Sequence, residues 1–470
     1  MINQQLVDYV RGQLAAGISE QVIRTNAAAA GWSAGDIEDA FGAARGAEAR
    51  QSAPLREVSP EAAAGPRTTG LSGNEIFCLS ELGYAPGDIA VGNSVHALGV
   101  LRSIGSGARM LMGGEITQIT SFISDGRHAA ITRLEEEARL NGGAGVTGVT
   151  TEVIASGDRL EFLSIGSVLH GKGEAFSSSA DGQELYCQID AGYTPKRFVF
   201  GNVAYSIGIG RGVTGLFRQL VRGEVPQYTE IFTKTRNLAL DRIVAEAKQA
   251  GANAVVNIRA QILPISGAGY GMQEMILIGT ASHNPALPPA AADQPATSDL
   301  INQELWSLAN KGYVPLKLMM GTSVYALGLV GGITLFFKSF RRGEIPELTK
   351  LVYEAREKSI TKIKNEAARI GADDVVGVKI YLYELGSGLI EVLAIGTAVK
   401  REGGATQSPA LLPQAIINDK DTFVDRTMGG ASALSRQSMR AGRGIIAAIV
   451  PVVVVIIYII VIIVAKANHS

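Results

Sequence analysis

Residues 341–379 read RRGEIPELTKLVYEAREKSITKIKNEAARIGADDVVGVK, and they spell one long helix followed by a strand. Pro346 stands where a first-turn proline is tolerated, because its missing N–H would find no intrahelical acceptor there. Leu348, Val352, Ala355, Ile360, Ile363, Ala367 and Ile370 then recur every three to five residues, which keeps one face apolar. Gly371 closes the helix, since glycine takes the left-handed turn at little cost. Val375, Val376 and Val378 open a strand, and beyond Gly386 and Gly388 a second strand is predicted over residues 389–399. The plan is a helix followed by a hairpin, and it occurs three times.

The repetition is marked by glycines. Gly83, Gly192 and Gly312 are each followed by tyrosine and, two residues further, by Pro86, Pro195 or Pro315. Gly92, Gly201 and Gly321 come next, then Gly114, Gly223 and Gly343, each before glutamate, then Gly142, Gly251 and Gly371. The offset is 109 residues between the first two copies and 120 between the second and third. The register is lost only at the hairpin tip, beyond which lie Ile165, Ile278 and Ile395, each before glycine. Exposed tips tolerate changes of length.

The third copy, with its RGE, its charged helix ending AARIGADDVVGVKI and its VLAIGTAVK, resembles the YbjQ-like domain family, which carries a heavy-metal-binding label. The second copy is similar through AKQAGANAVVNI and MILIGTA, and the first departs from the pattern, with Asn141 and Gly143 around Gly142. The resemblance implies an α+β chain of three tandem β-α-β-β domains of the dodecin-subunit kind. Such subunits assemble into pentameric rings, so linked copies are expected to stack as rings or to mix within one pseudo-symmetric ring.

The formal net charge of −1 argues against a general nucleic-acid binder. Two cysteines, Cys78 and Cys187, rule out a disulfide framework and suit a reducing compartment. They occupy matching positions in copies one and two, where the third has Ser307, so they read as small buried residues rather than metal ligands. The N-terminus lacks a basic region ahead of an apolar core and does not read as a secretory signal. Residues 444–465, GIIAAIVPVVVVIIYIIVIIVA, form an uncharged run of 22 residues. Such a run crosses a hydrocarbon layer of ~30 Å at ~1.5 Å per residue, and Pro451 is tolerable within it. Arg436, Arg440 and Arg443 precede the span and Lys466 follows it. That bias puts the bulk of the chain on the cytoplasmic face of a bacterial-type inner membrane as a single-pass, tail-anchored protein in contact with lipid.

Residues 1–45 read as a three-helix docking module with Leu6, Val10, Leu14, Val22, Ile23, Trp32, Ile37 and Phe41 as its core. It resembles ubiquitin-associated-type bundles, which implies a protein or peptide partner; a plain cap or tether is the other reading. Residues 46–70 form a linker, and the repeats span 71–170, 183–283 and 298–401. Residues 284–297 and 402–443 are further linkers. The middle glycine of each first strand suggests a bulge or turn between two short strands. Tyr205 and Tyr325, with His96 at the matching place, are candidates for a subunit interface, because a tyrosine joins an apolar body to a polar tip.

Gly210, Gly212 and Gly215 match a dinucleotide fingerprint by spacing, but neither other copy keeps the three glycines and no parallel unit surrounds them. The five histidines are scattered without CxxC or HxxxH spacing, leaving Cys78, His96 and Cys187 as weak candidates for a transition-metal site. Glu115, Glu224 and Glu344 precede helices, where a carboxylate meets the dipole and caps free N–H groups. No nucleophile–base motif is present. The expectation is a non-enzymatic, oligomeric, membrane-associated scaffold or binding protein without nucleic acid or cofactor. A heavy-metal-binding or metal-sensing protein is the alternative.

Overall fold

The computed structural model describes residues 67–97, 114–156, 159–206, 223–265, 272–326, 346–386 and 389–402, with Ile416 and part of the first 41 residues. The apolar span at 444–465, its flanking Arg436, Arg440, Arg443 and Lys466, and the 210–215 glycine loop lie outside the described residues. Among the described residues no helix is long and apolar enough to cross a membrane. The chain divides into two compact units, residues 1–64 and 65–470. In the first, Leu6, Val10, Ile23, Ala27, Ile37, Ala40 and Phe41 are buried together against Trp32. Ser33 caps the helical stretch 35–41, its Oγ accepting the Asp36 N–H at 3.1 Å.

In the second unit each repeat begins with a short helix and a long strand. The first repeat holds α1 (Gly73–Glu81), β1 (Ala85–Ala97), β2 (Gly114–Glu115), α2 (Thr117–Leu140), β3 (Gly145–Ser156) and β4 (Arg159–His170). After β5 (Phe176–Ser177), the second holds α3 (Gly182–Asp190), β6 (Thr194–Ser206), β7 (Gly223–Glu224), α4 (Pro226–Gln249), β8 (Ala254–Pro264) and β9 (Met272–His283). After β10 (Ala296–Thr297), the third holds α5 (Asn302–Ala309), β11 (Tyr313–Ala326), α6 (Pro346–Arg369), β12 (Asp374–Gly386) and β13 (Leu389–Arg401). Within each repeat the last strand lies central and antiparallel to both others. The connection after β4 and the one after β9, the latter expected as a linker, contribute β5 and β10, which pair parallel to β3 and β8. The short strands β2 and β7 cross over instead: β2 joins the second repeat's sheet and β7 the third's.

The mid-strand glycine is not a turn. β1, β6 and β11 each run unbroken through Gly92, Gly201 and Gly321, and their register shift falls nearer the start, beside Pro86, Pro195 and Pro315. The glycine is there because the long helix passes directly over it. A Cβ on Gly92, Gly201 or Gly321 would stand 1.9, 2.1 or 2.2 Å from the carbonyl oxygen of Ala130, Ala239 or Ser359. A second requirement sits in the hairpin. Gly148, Asn257 and Gly377 have φ of 63°, 55° and 64° where β3, β8 and β12 bulge against their partners. Only glycine or a short polar side chain takes that left-handed conformation readily.

Gly201→Ala forces the α4 backbone away from β6 and is expected to cost ~1–3 kcal/mol, the usual range for overpacking a filled core. Gly73→Ala, where nothing lies within 4 Å of the added methyl, leaves stability near the native value. Thermal unfolding of the two variants side by side checks this.

Candidate functional site

The repeats meet at two equivalent seams. At the first, Glu115 of β2 pairs with Tyr205 of β6; at the second, Glu224 of β7 pairs with Tyr325 of β11. The strand continues into helix by handing its N–H to the neighbour: Ile116 N donates to Ala204 O at 2.9 Å, and Val225 N to Val324 O at 2.8 Å. One turn on, a helix threonine returns the bond. Thr120 Oγ1 accepts from Ala204 N and Thr229 Oγ1 from Val324 N, each at 3.0 Å. Glu344 lies outside the described residues; Glu115 and Glu224, expected to cap their own helices, do otherwise, since neither α2 nor α4 has a side-chain cap. Pairing in the neighbouring sheet carries Glu115 to Arg242 at 2.7 Å and Glu224 to Lys358, both on the next repeat's helix.

At the centre of each seam lies a buried ion pair. Arg127 of α2 donates to Glu274 of β9 through Nε at 3.3 Å and Nη2 at 2.8 Å, and its Nη1 reaches Thr151. Arg236 of α4 donates through Nη2 to both carboxylate oxygens of Glu391 on β13, at 2.8 and 2.9 Å. The side chains are 0% and 3% exposed in the first pair and 1% each in the second. Burial opposes the charge on Arg236, but Glu391 and the Tyr205 hydroxyl outweigh it and hold the guanidinium above its usual range. Apolar side chains surround the pairs. Phe198, Phe200 and Ile276 of the second repeat pack with Ile131 and Leu134 of α2.

Tyr205 pairs with β2 through its backbone at the first seam, and its side chain reaches the second. Its ring is fully buried, its hydroxyl donates to Gln273 Oε1 at 2.7 Å, and Arg236 Nη1 donates to the Tyr205 hydroxyl oxygen at 3.4 Å. Burial pushes its phenol up to about 12. Tyr325 lies at the matching place in the third repeat, with Leu351, Ala355 and Ile390 of its own core. His96 belongs to the first repeat's outer strand, between the Phe122 and Phe162 rings, with Ser94 Oγ 2.7 Å from Nε2. Burial lowers its pKa, and Arg133 lowers it further.

A row of short helices runs along the repeats, α3 packing against both α1 and α5. Cys78 and Cys187 are buried in it beside Ala191, Leu305, Trp306 and Ile416. Burial pushes the Cys78 thiol up to about 11 and Cys187 up as well. Neutral thiols in an apolar wall do not fit a metal, which binds thiolates. Nor is His96 near them, and no group of three or more His, Cys, Asp or Glu suited to a metal occurs among the described residues. At the start of α3, Asp181 Oδ1 accepts the Glu184 N–H at 2.8 Å, Glu184 accepts from Asn257 and Arg259, and Glu75 Oε1 accepts the Gly182 N–H. Burial raises the Asp181 carboxyl to about 7, helped by Glu184 and Glu75.

The seam arginines and glutamates were not singled out by sequence reasoning, yet a signal existed. Arg127, Arg236 and Arg356 follow the 109- and 120-residue offsets, and Glu161, Glu274 and Glu391 each stand four residues before the isoleucine of the Ile-Gly pair. With three β-α-β-β repeats fused in this way, the chain belongs to the YbjQ family, whose description is "Putative heavy-metal-binding" and whose model matches residues 85–166, 193–284 and 310–402. It is 30% identical over 245 residues, 51% of this chain and 91% of the relative, to "Encapsulin nanocompartment protein Rv1762c" of Mycobacterium tuberculosis. A UPF0145 protein of Thermosipho africanus is 40% identical over 83 residues, which cover 18% of this chain and 74% of the relative. UPF0145 protein CPE0882 of Clostridium perfringens is 40% identical over 86 residues, 18% of this chain and 78% of that protein.

Two outcomes follow from the site. Arg236→Met strands the buried Glu391 carboxylate and is expected to cost ~3–5 kcal/mol, whereas Arg236→Met with Glu391→Leu recovers most of it; denaturant unfolding midpoints read both. Asp181 binds its proton more tightly in the folded chain than in the unfolded one, where carboxylates titrate near pH ~4. Its contribution to stability is therefore full below pH ~4 and is lost as pH rises to about 7. Asp181→Asn, which keeps a good cap, removes that slope and raises the melting temperature above pH 7 relative to the native chain.

Proposed function

We propose that this protein is a non-enzymatic, membrane-tethered oligomeric scaffold that binds other proteins. The observation that carries the reading is the use made of the buried polar groups. Arg127, Glu274, Arg236 and Glu391 are spent on joining domain to domain, and the sequence carries no nucleophile–base motif. The relative from Mycobacterium tuberculosis, named as an encapsulin nanocompartment protein, supports a role in protein assembly. The apolar residues 444–465 supply the tether, with Arg436, Arg440, Arg443 and Lys466 at its edges and the repeats on the cytoplasmic side of an inner membrane. Residues 1–45, a small helical unit with a core of its own, are suited to recruiting a protein or peptide partner. The metal-binding alternative has the family description behind it, and the buried thiols count against it.

The test is native mass spectrometry of the full-length protein in detergent, paired with flotation on anionic vesicles. The expected result is a metal-free multiple of the chain mass that floats only when residues 444–465 are present. A monomer, or material that stays with the soluble fraction, overturns the reading; stoichiometric transition metal lost on Cys78→Ser favours the alternative.

A further inference from the structure

Beside each seam lies a cleft walled by the long helix, by the connection out of its repeat and by the start of the next repeat's first strand. The two clefts can be compared position by position. In the first, of about 490 Å³, the protein supplies its own carboxylate from Glu135 of α2. The Ser177 hydroxyl of β5 donates to Glu135 Oε1 at 2.7 Å, and Arg197 of β6 donates through Nε at 3.3 Å and Nη2 at 3.2 Å. Ser177 is used twice, since its oxygen also accepts the Phe198 N–H at 2.9 Å. The Phe176 ring, packed edge-on against Tyr84, lines the same cleft.

The second cleft keeps the donors and lacks the carboxylate. The 109- and 120-residue offsets put Val244 of α4 in the place of Glu135, Thr297 of β10 in that of Ser177 and Lys317 of β11 in that of Arg197. All three line the cleft. Thr297 Oγ1 accepts the Leu318 N–H at 2.8 Å, as Ser177 accepts from Phe198. Its side chain is 1% exposed, and among the described residues no acceptor takes its hydroxyl proton. A buried donor left in that state is costly. Lys317 gives one bond to Glu366 at 2.7 Å, and an ammonium has two more to give. Ala296 stands where the first cleft has Phe176, and the connection is longer, residues 284–295 against 171–175. Its 3-10 turn, Pro289–Ala292, adds a wall. The result is a cleft of about 620 Å³, the size of a small-molecule site, with Leu240, Leu287, Pro295 and Leu316 in its lining.

We infer that the second cleft binds a small aliphatic carboxylic acid, whose carboxylate takes the place that Glu135 fills in the first. Its oxygens accept from the Thr297 hydroxyl and the Lys317 ammonium, and its hydrocarbon lies on Val244, Leu240 and Leu287. The charge requirement follows from Lys317, which repels a cation and bonds an anion more strongly than a neutral acceptor. Asp241 also lines the cleft, but it is exposed and water screens it. The site is independent of the scaffold reading, because nothing in it depends on a second chain or on a membrane.

The test is titration calorimetry of the full-length protein in detergent with 4-methylpentanoate and, separately, with its primary amide. The native chain is expected to take up one acid per chain and to bind the amide at least ~10-fold more weakly, since the amide forfeits the charge-assisted bonds. Val244→Glu restores the arrangement of the first cleft, so it is expected to weaken the acid at least ~10-fold while thermal unfolding stays at or above the native temperature. Lys317→Met, at a half-exposed position, is expected to weaken the acid to the level of the amide and to leave the amide unchanged. It decides the matter by itself if Val244→Glu does not fold. No saturable uptake, an amide that binds as well as the acid, or a folded variant of either kind that binds the acid like the native chain overturns the inference. None of these results bears on the scaffold reading, which stands or falls on oligomer mass and flotation.

Discussion

The close passage of each long helix over a glycine in its own first strand is the constraint on which the rest depends. With the Ala130, Ala239 and Ser359 carbonyls almost against Gly92, Gly201 and Gly321, helix and sheet cannot slide without collision. A fixed helix then has two jobs. One face fills its own repeat, as Ile123 and Ala130 do with Phe162 of β4 in the first, and α2 and α4 also lie against the sheet that follows. The seam residues are therefore held by the same packing that holds the domain, and a seam is as specific as a core.

Much of the domain was legible because its signals are local. A proline at the first turn, a three-to-five-residue apolar spacing and a glycine at the end fix α6, which runs from Pro346 to Arg369, and the valines after Gly371 lead into β12. The miniature core of residues 1–41 was legible for the same reason, since Leu6, Val10, Ile23, Ile37 and Phe41 announce one helical face each. Gly321 was misread because a glycine in a strand has two physical causes, a bulge or a close approach, and only the position of the helix separates them.

The seams were illegible for a different reason. Arg127 meets Glu274 across 147 positions and Arg236 meets Glu391 across 155. No periodicity reports a pairing between one repeat's helix and the next repeat's last strand. Glu115 and Glu224 misled for the converse reason: their local setting, just before a helix, has an ordinary explanation in capping. Pairing of β2 with β6 and of β7 with β11 removes them from their own helices and gives them to Arg242 and Lys358. The repeat offsets were the available clue, because Arg127 and Arg236 stand at one helix position in consecutive copies and make the same contact.

Why a seam should be centred on charge is a question of specificity more than strength. A buried Arg–carboxylate pair gives back in attraction roughly what desolvation costs, so an apolar replacement of similar shape would hold the repeats as well or better. What the charges add is a large difference between right and wrong neighbours. Apolar faces such as Phe198 and Phe200 would accept many helices in many registers, and three similar repeats in one chain offer several wrong pairings. A helix that slipped by one turn would leave Glu274 or Glu391 buried and alone, a penalty several times the cost of lost apolar contact. Tyr205 and Asn202 sharpen this, since each reaches a member of a pair that a shifted helix would leave unmatched. The order of the three repeats is thus written into the cores of their contacts.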